Sequence, residues 1–178
     1  MPIVPDTANW TWVLEKPCPA CGLDASQIPF DAVADLTEDN VARWPRALDV
    51  ADPAHRPNDH TWSPLEYAAH VRDVFRIFGA RLELMLKQHD PLFDNWDQDA
   101  TAIADRYGEQ DPAVVLAELR DAGLALARDF RAVPGDACHR TGRRSDGSGF
   151  TVETLARYFI HDPVHHLAGV TGEQVTPR

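Results

Sequence analysis

An all-α four-helix bundle with an irregular N-terminal arm is the fold class this sequence predicts. Three observations carry that expectation. Four segments repeat apolar residues at helical spacing, no segment alternates apolar and polar residues convincingly, and one long polar stretch supplies a cross-connection. The chain of 178 residues is divided into an arm over residues 1–30, carrying a Cys-x-x-Cys, and a bundle over residues 31–178. That length builds a single core without staples.

The arm is rich in Pro, Cys and Trp, with Trp10 and Trp12 placed to lie against the bundle. The first helix is expected between Asp31 and Leu48, with Val33, Leu36, Val41, Trp44 and Leu48 inward. Pro45 interrupts its last turn by removing a donor and crowding the preceding turn. Residues 51–61 read as a loop. Ser63-Pro64-Leu65-Glu66 then opens the second helix, with a capping Ser, Pro at the first helical position and Glu at the third. Its stripe is Val71, Val74, Phe75, Phe78, Leu82 and Met85, ending near His89. Residues 92–110 suggest a short helix or lid. Asp111-Pro112 opens the third long helix, with Val115, Leu119, Ala122, Leu126 and Phe130 inward and Pro134-Gly135 as its stop. Residues 135–150 are turn-rich, and a fourth long helix runs from about Thr151 to about Val170.

The net charge of −11, with 17 Lys+Arg against 28 Asp+Glu, excludes an extended nucleic-acid face. No stretch has the roughly 20 apolar residues of a membrane helix, and no secretory signal is apparent. Three cysteines do not make a disulfide framework, so a cytoplasmic location is expected.

Chemistry concentrates in the histidines, eight in all. His161 and His165 lie one turn apart on a predicted helix, so both imidazoles reach one ion. A third ligand must come from elsewhere, and His70 sits at the edge of the second helix's stripe. Asp73 and Asp162 are the nearby carboxylates, as orienting acceptors or further ligands. On an ideal wheel, however, His166 falls with the apolar positions Val152, Leu155, Phe159 and Val170. Pro163 disturbs that wheel, which keeps His166 as a substitute ligand.

Trp62-Ser63-Pro64-Leu65-Glu66-Tyr67-Ala68-Ala69-His70 and His161-Asp162-Pro163-Val164-His165-His166 together resemble the DinB-like superfamily, which includes YfiT-type proteins. The resemblance covers roughly residues 31–172. It implies an up-down-down-up bundle with a divalent metal on three histidines, carried over onto His70, His161 and His165. The chain departs from the family in Pro163 and in lacking Gly-Gln after its last histidine.

Three imidazoles leave zinc, nickel or iron open to water or substrate. Because relatives include mycothiol-dependent isomerases and thiol S-transferases, the resemblance implies an enzyme transferring mycothiol or another small thiol to a small electrophile. In that reading Asp73 or Asp162 orients a ligand, and Arg143 or Arg144 holds an anionic substrate. Trp96 or Tyr107 walls the pocket. The alternatives are a metal-dependent hydrolase with Glu66 or Asp73 as base, and a non-catalytic stress-related metal-binding protein. A homodimer is an expected assembly. Cys18-Pro19-Ala20-Cys21-Gly22 looks like half a zinc knuckle, for which Cys138, next to His139, is the third thiol. A redox pair lacks the strand-to-helix context, and two reduced cysteines packed in the arm is the plain alternative.

Overall fold

The long helices begin where capping chemistry places them. In the computed structural model, which describes residues 8–175, helix α2 (Pro64–Lys87) opens with a reciprocal capping box. Glu66 N donates to Ser63 Oγ at 3.2 Å and Ser63 N donates to Glu66 Oε2 at 2.8 Å. Helix α4 (Pro112–Arg131) is capped by Asp111, which accepts from the amides of Ala113 and Val114. Helix α5 (Val152–Thr171) starts with a Thr151–Thr154 box and stops at Gly172, whose φ of +73° is the left-handed ending glycine permits. Helix α1 (Ala32–Ala47) runs through Pro45 and ends only at Leu48.

Helices α1 and α2 face each other across the bundle, and each packs on both α4 and α5. Phe159 of α5 sits at the crossing, its ring 5.9 Å from Phe75, 5.3 Å from Phe78 and 5.5 Å from Phe130. Gly123 of α4 lets the helices close. A Cβ there would stand 2.4 Å from Val41 Cγ2 and 2.8 Å from Phe75 Cε2. No helix among the described residues is long and apolar enough to cross a membrane.

The expectation of no strands is corrected by a three-stranded sheet. Strand β1 (Leu92–Phe93) pairs parallel with β2 (Thr141–Arg144), which pairs antiparallel with β3 (Gly149–Thr151). The inward residues of β2 are Gly142 and Arg144, so no hydrophobic alternation announces it. Gly142 is required there, because a Cβ would meet Met85 Cγ at 2.7 Å. Between β1 and α4 lie the short helix α3 (Gln98–Ala104) and a 3-10 turn at Tyr107–Glu109.

Asp73, expected to serve the histidines, is committed elsewhere. Arg72 donates to both of its oxygens (2.9 and 3.0 Å), Arg76 donates at 3.2 Å, and the buried Tyr107 hydroxyl donates at 2.5 Å. Burial by itself would raise the Asp73 pKa. The hydrogen bonds from Arg72 and Tyr107 outweigh it and hold the carboxyl below its ordinary range.

Two stability outcomes follow. Gly123→Ala should cost about 1–3 kcal/mol in urea denaturation, because overpacking against Val41 and Phe75 exceeds the roughly 1 kcal/mol that alanine adds in an unobstructed helix. Asp73→Asn should cost about 3 kcal/mol at pH 7, the scale of a broken buried pair. A depressed carboxylate stabilises the fold above its unfolded pKa of about 3.9 and loses that contribution below it. The gap between wild type and Asp73→Asn should therefore narrow as denaturation is repeated at pH values falling through 4.

Candidate metal centres

An α-helix turns by about 100° per residue, so the run His161-Asp162-Pro163-Val164-His165-His166 carries two pairs spaced by four. His161 and His165 project toward the N-terminal arm. Asp162 and His166, one residue further round, project toward α2. The structure accordingly gathers two groups of donors instead of one.

The first group is Cys18, Cys21, His161 and His165, whose donor atoms lie within 4.8 Å of one another. Cys18 Sγ is 3.6 Å from His165 Nδ1. Cys18, Cys21 and His161 are buried and His165 is half-buried. The cysteines sit in a tight turn in which Gly22 N donates to Cys18 O (2.8 Å) and Cys18 N donates to Leu23 O (2.9 Å). Gly22 has φ +80°, and a Cβ on it would strike Val175 O at 2.7 Å. Trp10 stacks on His161 at 5.7 Å and tilts against His165 at 5.4 Å.

The second group is His70, Asp162 and His166, again within 4.8 Å. His70 Nε2 is 3.2 Å and His166 Nε2 3.6 Å from Asp162 Oδ1. Trp96 lies flat on His70 at 5.2 Å with a 6° interplanar angle, and Tyr67 stacks on His166 at 4.9 Å. The fully buried His70, expected to share an ion with His161 and His165, is thus grouped with Asp162 and His166.

His161, His166 and Asp162 already stand in the forms in which they bind a cation. Burial pulls His166 down to about 3, and burial together with His165 pulls His161 down to about 4, so both imidazoles are neutral near pH 7. Burial works to raise Asp162, but His70 and His166 outweigh it and keep the carboxyl ionised. Burial and the neighbouring Cys18 push the Cys21 thiol up to about 11. Neutral imidazole and ionised carboxylate are the ligand forms a divalent ion requires. One buried ring nitrogen in each group, His70 Nδ1 and His161 Nε2, has no hydrogen-bond partner among the described residues. Orphaned buried nitrogens are costly, and a metal ion is the occupant both donor sets fit.

Asp162 forms part of the wall of a cavity of about 450 Å³, shared with Trp10, Trp96, Arg81, Arg144 and Tyr158. A recess of about 90 Å³ adjoins both donor groups, lined by Trp10 and by the four His and Asp side chains of α5. Arg144 donates to Tyr158 Oη (3.1 Å) and Asp146 Oδ2 (2.7 Å), and its buried Nε is unpartnered among the described residues. Arg81 is buried and donates to Asp94 O at 3.0 Å, without an ion pair among the described residues. Burial and Arg144 lower its pKa to about 10, leaving it charged at neutral pH.

Not every expected residue arrives at the site. Arg143 is exposed and donates to Asp90 at 2.9 Å, away from the cavity. Tyr107 is buried against Asp73. Cys138 lies in the 3-10 turn Gly135–His139 and senses Glu153, near the start of α5, about 18 Å along the helix from His165. It is not gathered with Cys18 and Cys21. Sequence reasoning missed Arg81, although it falls in register with Val74, Phe78 and Met85. A charge on an apolar stripe was the available signal.

No curated protein matches the sequence. Among solved structures, YfiT from Bacillus subtilis, described as a probable metal-dependent hydrolase with an unusual four-helix bundle topology, matches with a TM-score of 0.73. It is 22% identical, and the match covers 88% of this chain and 90% of that one. The family profile described as the DinB superfamily matches residues 33–169, from the first turn of α1 to the last turns of α5. The chain, with its bundle and its α5 ligand pairs inside that match, belongs to the DinB superfamily.

Proposed function

We propose that this chain is a divalent-metal-dependent enzyme that uses His70, Asp162 and His166 to activate a low-molecular-weight thiol for transfer to a small anionic electrophile. The observation that carries the reading is one cavity whose wall includes Asp162, one of the three donors, and a buried cation, Arg81, that has no ion pair among the described residues. Two imidazoles and one carboxylate suit zinc, iron or nickel and leave coordination positions open. Such an ion, when bound, supplies Lewis acidity sufficient to favour a thiolate over a thiol at neutral pH.

The protein's own groups account for the rest. Asp162 Oδ1, 3.2 Å from His70 Nε2 and 3.6 Å from His166 Nε2, brings the carboxylate and both imidazoles to one point as ligands. Arg81 and Arg144 on the cavity wall hold an anionic group of the electrophile, and the indoles of Trp10 and Trp96 wall the cavity. A volume of about 450 Å³ is within the range of small-molecule sites. Transfer forms a carbon–sulfur bond, the thiol proton passes to solvent, and the leaving group departs with its electron pair.

Hydrolysis is the second reading, suggested by the description of YfiT. Both carboxylates expected as its base are occupied, which leaves ionisation of a bound water to the metal itself. Glu66 is forked by Arg56, and Asp73 is held by Arg72 and Tyr107.

Metal titration and turnover test the proposal together. Asp162→Asn or His166→Ala should weaken zinc binding at this site by more than the roughly 10–100-fold typical of losing an orienting partner. With zinc, nickel or iron added, mycothiol, bacillithiol, coenzyme A and glutathione should be assayed against monochlorobimane and an anionic electrophile such as maleylpyruvate. Metal-dependent conjugation or isomerisation with at least one thiol is expected. Turnover of esters or amides without any thiol would establish the hydrolase instead, and saturable metal binding without turnover would leave a binding protein.

Arg81→Met should raise KM for the anionic electrophile at least about tenfold, on the scale of a lost charged hydrogen bond, and leave the rate with neutral monochlorobimane unchanged. An equal loss with both electrophiles would remove Arg81 from anion recognition.

A further inference from the structure

The residues reserved for the open site leave His161 and His165 with another task. We infer that Cys18, Cys21, His161 and His165 bind a structural zinc ion that fastens the N-terminal arm to α5. Neither cysteine lies within the span matched by the superfamily, 33–169. The site therefore joins a segment outside that match to a helix inside it.

Four observations converge on it. The donor set is two thiols and two imidazoles with Cys-x2-Cys and His-x3-His spacing, the composition and spacing of closed tetrahedral zinc sites. Bonds of about 2.0–2.3 Å to a central ion put neighbouring donors roughly 3.3–3.8 Å apart, and Cys18 Sγ stands 3.6 Å from His165 Nδ1. The turn is shaped for two thiolates. Gly22 takes the left-handed conformation, and the Leu23 backbone amide donates toward the Cys21 sulfur. Finally, the buried His161 Nε2 lacks a partner among the described residues.

The environment makes this a closed site, distinct in kind from the open one. Four protein donors fill a tetrahedron, and Trp10 and Trp12 cover His161 from the arm. On binding, the two thiols give up their protons and form sulfur–zinc bonds; no oxidant or reductant is needed. The ion would join residues 147 positions apart in the chain, which restrains the arm far more than a local turn does. It would also fix the helical turn that presents Asp162 and His166, and it would hold Trp10 on the cavity wall.

Untagged full-length protein prepared under reducing conditions provides the test. Elemental analysis after exhaustive dialysis against EDTA should find about one zinc per chain. Titration with p-hydroxymercuribenzoate should release that zinc, read with a colorimetric zinc indicator, as the buried thiols react. Cobalt(II) reconstitution should give the thiolate-to-metal charge-transfer absorption and intense visible bands of tetrahedral sulfur–nitrogen ligation. Cys18→Ser and Cys21→Ser should abolish the charge-transfer band, while His166→Ala, which removes only an open-site ligand, should retain it. The wild-type cobalt spectrum and mercurial titration keep the test valid if the cysteine variants fail to fold. A cobalt spectrum without thiolate character, thiols that titrate without zinc release, or a Cys18–Cys21 disulfide in the isolated protein would each overturn the inference. Because the two sites are read by different signals, loss of one leaves the other standing.

Discussion

The whole arrangement depends on the helical step of α5. Successive side chains leave a helix about 100° apart, so residues 161 and 165 cannot face the same point as 162 and 166. The helix exploits that separation by putting histidines on one face toward the arm and an aspartate–histidine pair on the next face toward α2. Two donor groups of different composition result, separated by one residue along the chain and sharing the recess beside Trp10. Sulfur enters one group and carboxylate the other, and that difference separates a set suited to holding the fold from one suited to chemistry.

Keeping the two faces in register requires that α5 be held firmly where the pairs interleave. Pro163 stands there and cannot donate to the Phe159 carbonyl. The helix nevertheless continues to Thr171. The buried Asn40 of α1 donates to the Pro163 carbonyl at 2.8 Å, and its own oxygen accepts from Trp44 Nε1 at 3.0 Å. A fully buried indole therefore orients a buried amide, and the amide fixes α5 to α1 at the ligand-bearing turn. Nearby Phe159 packs against aromatic rings of α2 and α4. The ligand positions thus rest on both polar and apolar contacts with the rest of the bundle.

These relations explain what was legible in the sequence. Capping residues act locally, so Ser63-Pro64, Asp111-Pro112 and Thr151 mark helix starts to within a residue. The inward stripes of α2 and α4 follow from periodicity, and α1 is lost to local reasoning only at Pro45. The small sheet is illegible because its strands are only two to four residues long and its middle strand turns glycine and arginine inward. At the site, residue types and spacings were visible, but partition of the histidines was not. His161 and His165 have the same spacing as Asp162 and His166, and only the position of the arm decides which pair meets sulfur. The wheel already set His166 with the apolar face, and that weak signal agrees with its place beside His70. Asp73 was misread because its partner Tyr107 comes from a 3-10 turn 34 residues away.

The charge distribution bears on what enters the cavity. A net charge of −11 repels anions at long range, and screening confines that repulsion to about 8–10 Å at ordinary ionic strength. Selection of a small anion must therefore come from contacts made after entry. In the proposed reading Arg81 and Arg144 would provide those contacts under conditions that strengthen them: both are buried, Arg81 has no ion pair among the described residues, and aromatic rings flank both guanidiniums. Asp146 satisfies one edge of Arg144, whose buried Nε has no partner among the described residues. The cavity wall itself is mixed in charge, with Arg81 and Arg144 set among Asp97, Asp99, Asp146 and Asp162, so in the proposed reading an anion would be held only where the two arginines stand. Such recognition would place the anion beside the arginines and leave the reactive part of the molecule to face Asp162, the donor on the same cavity wall.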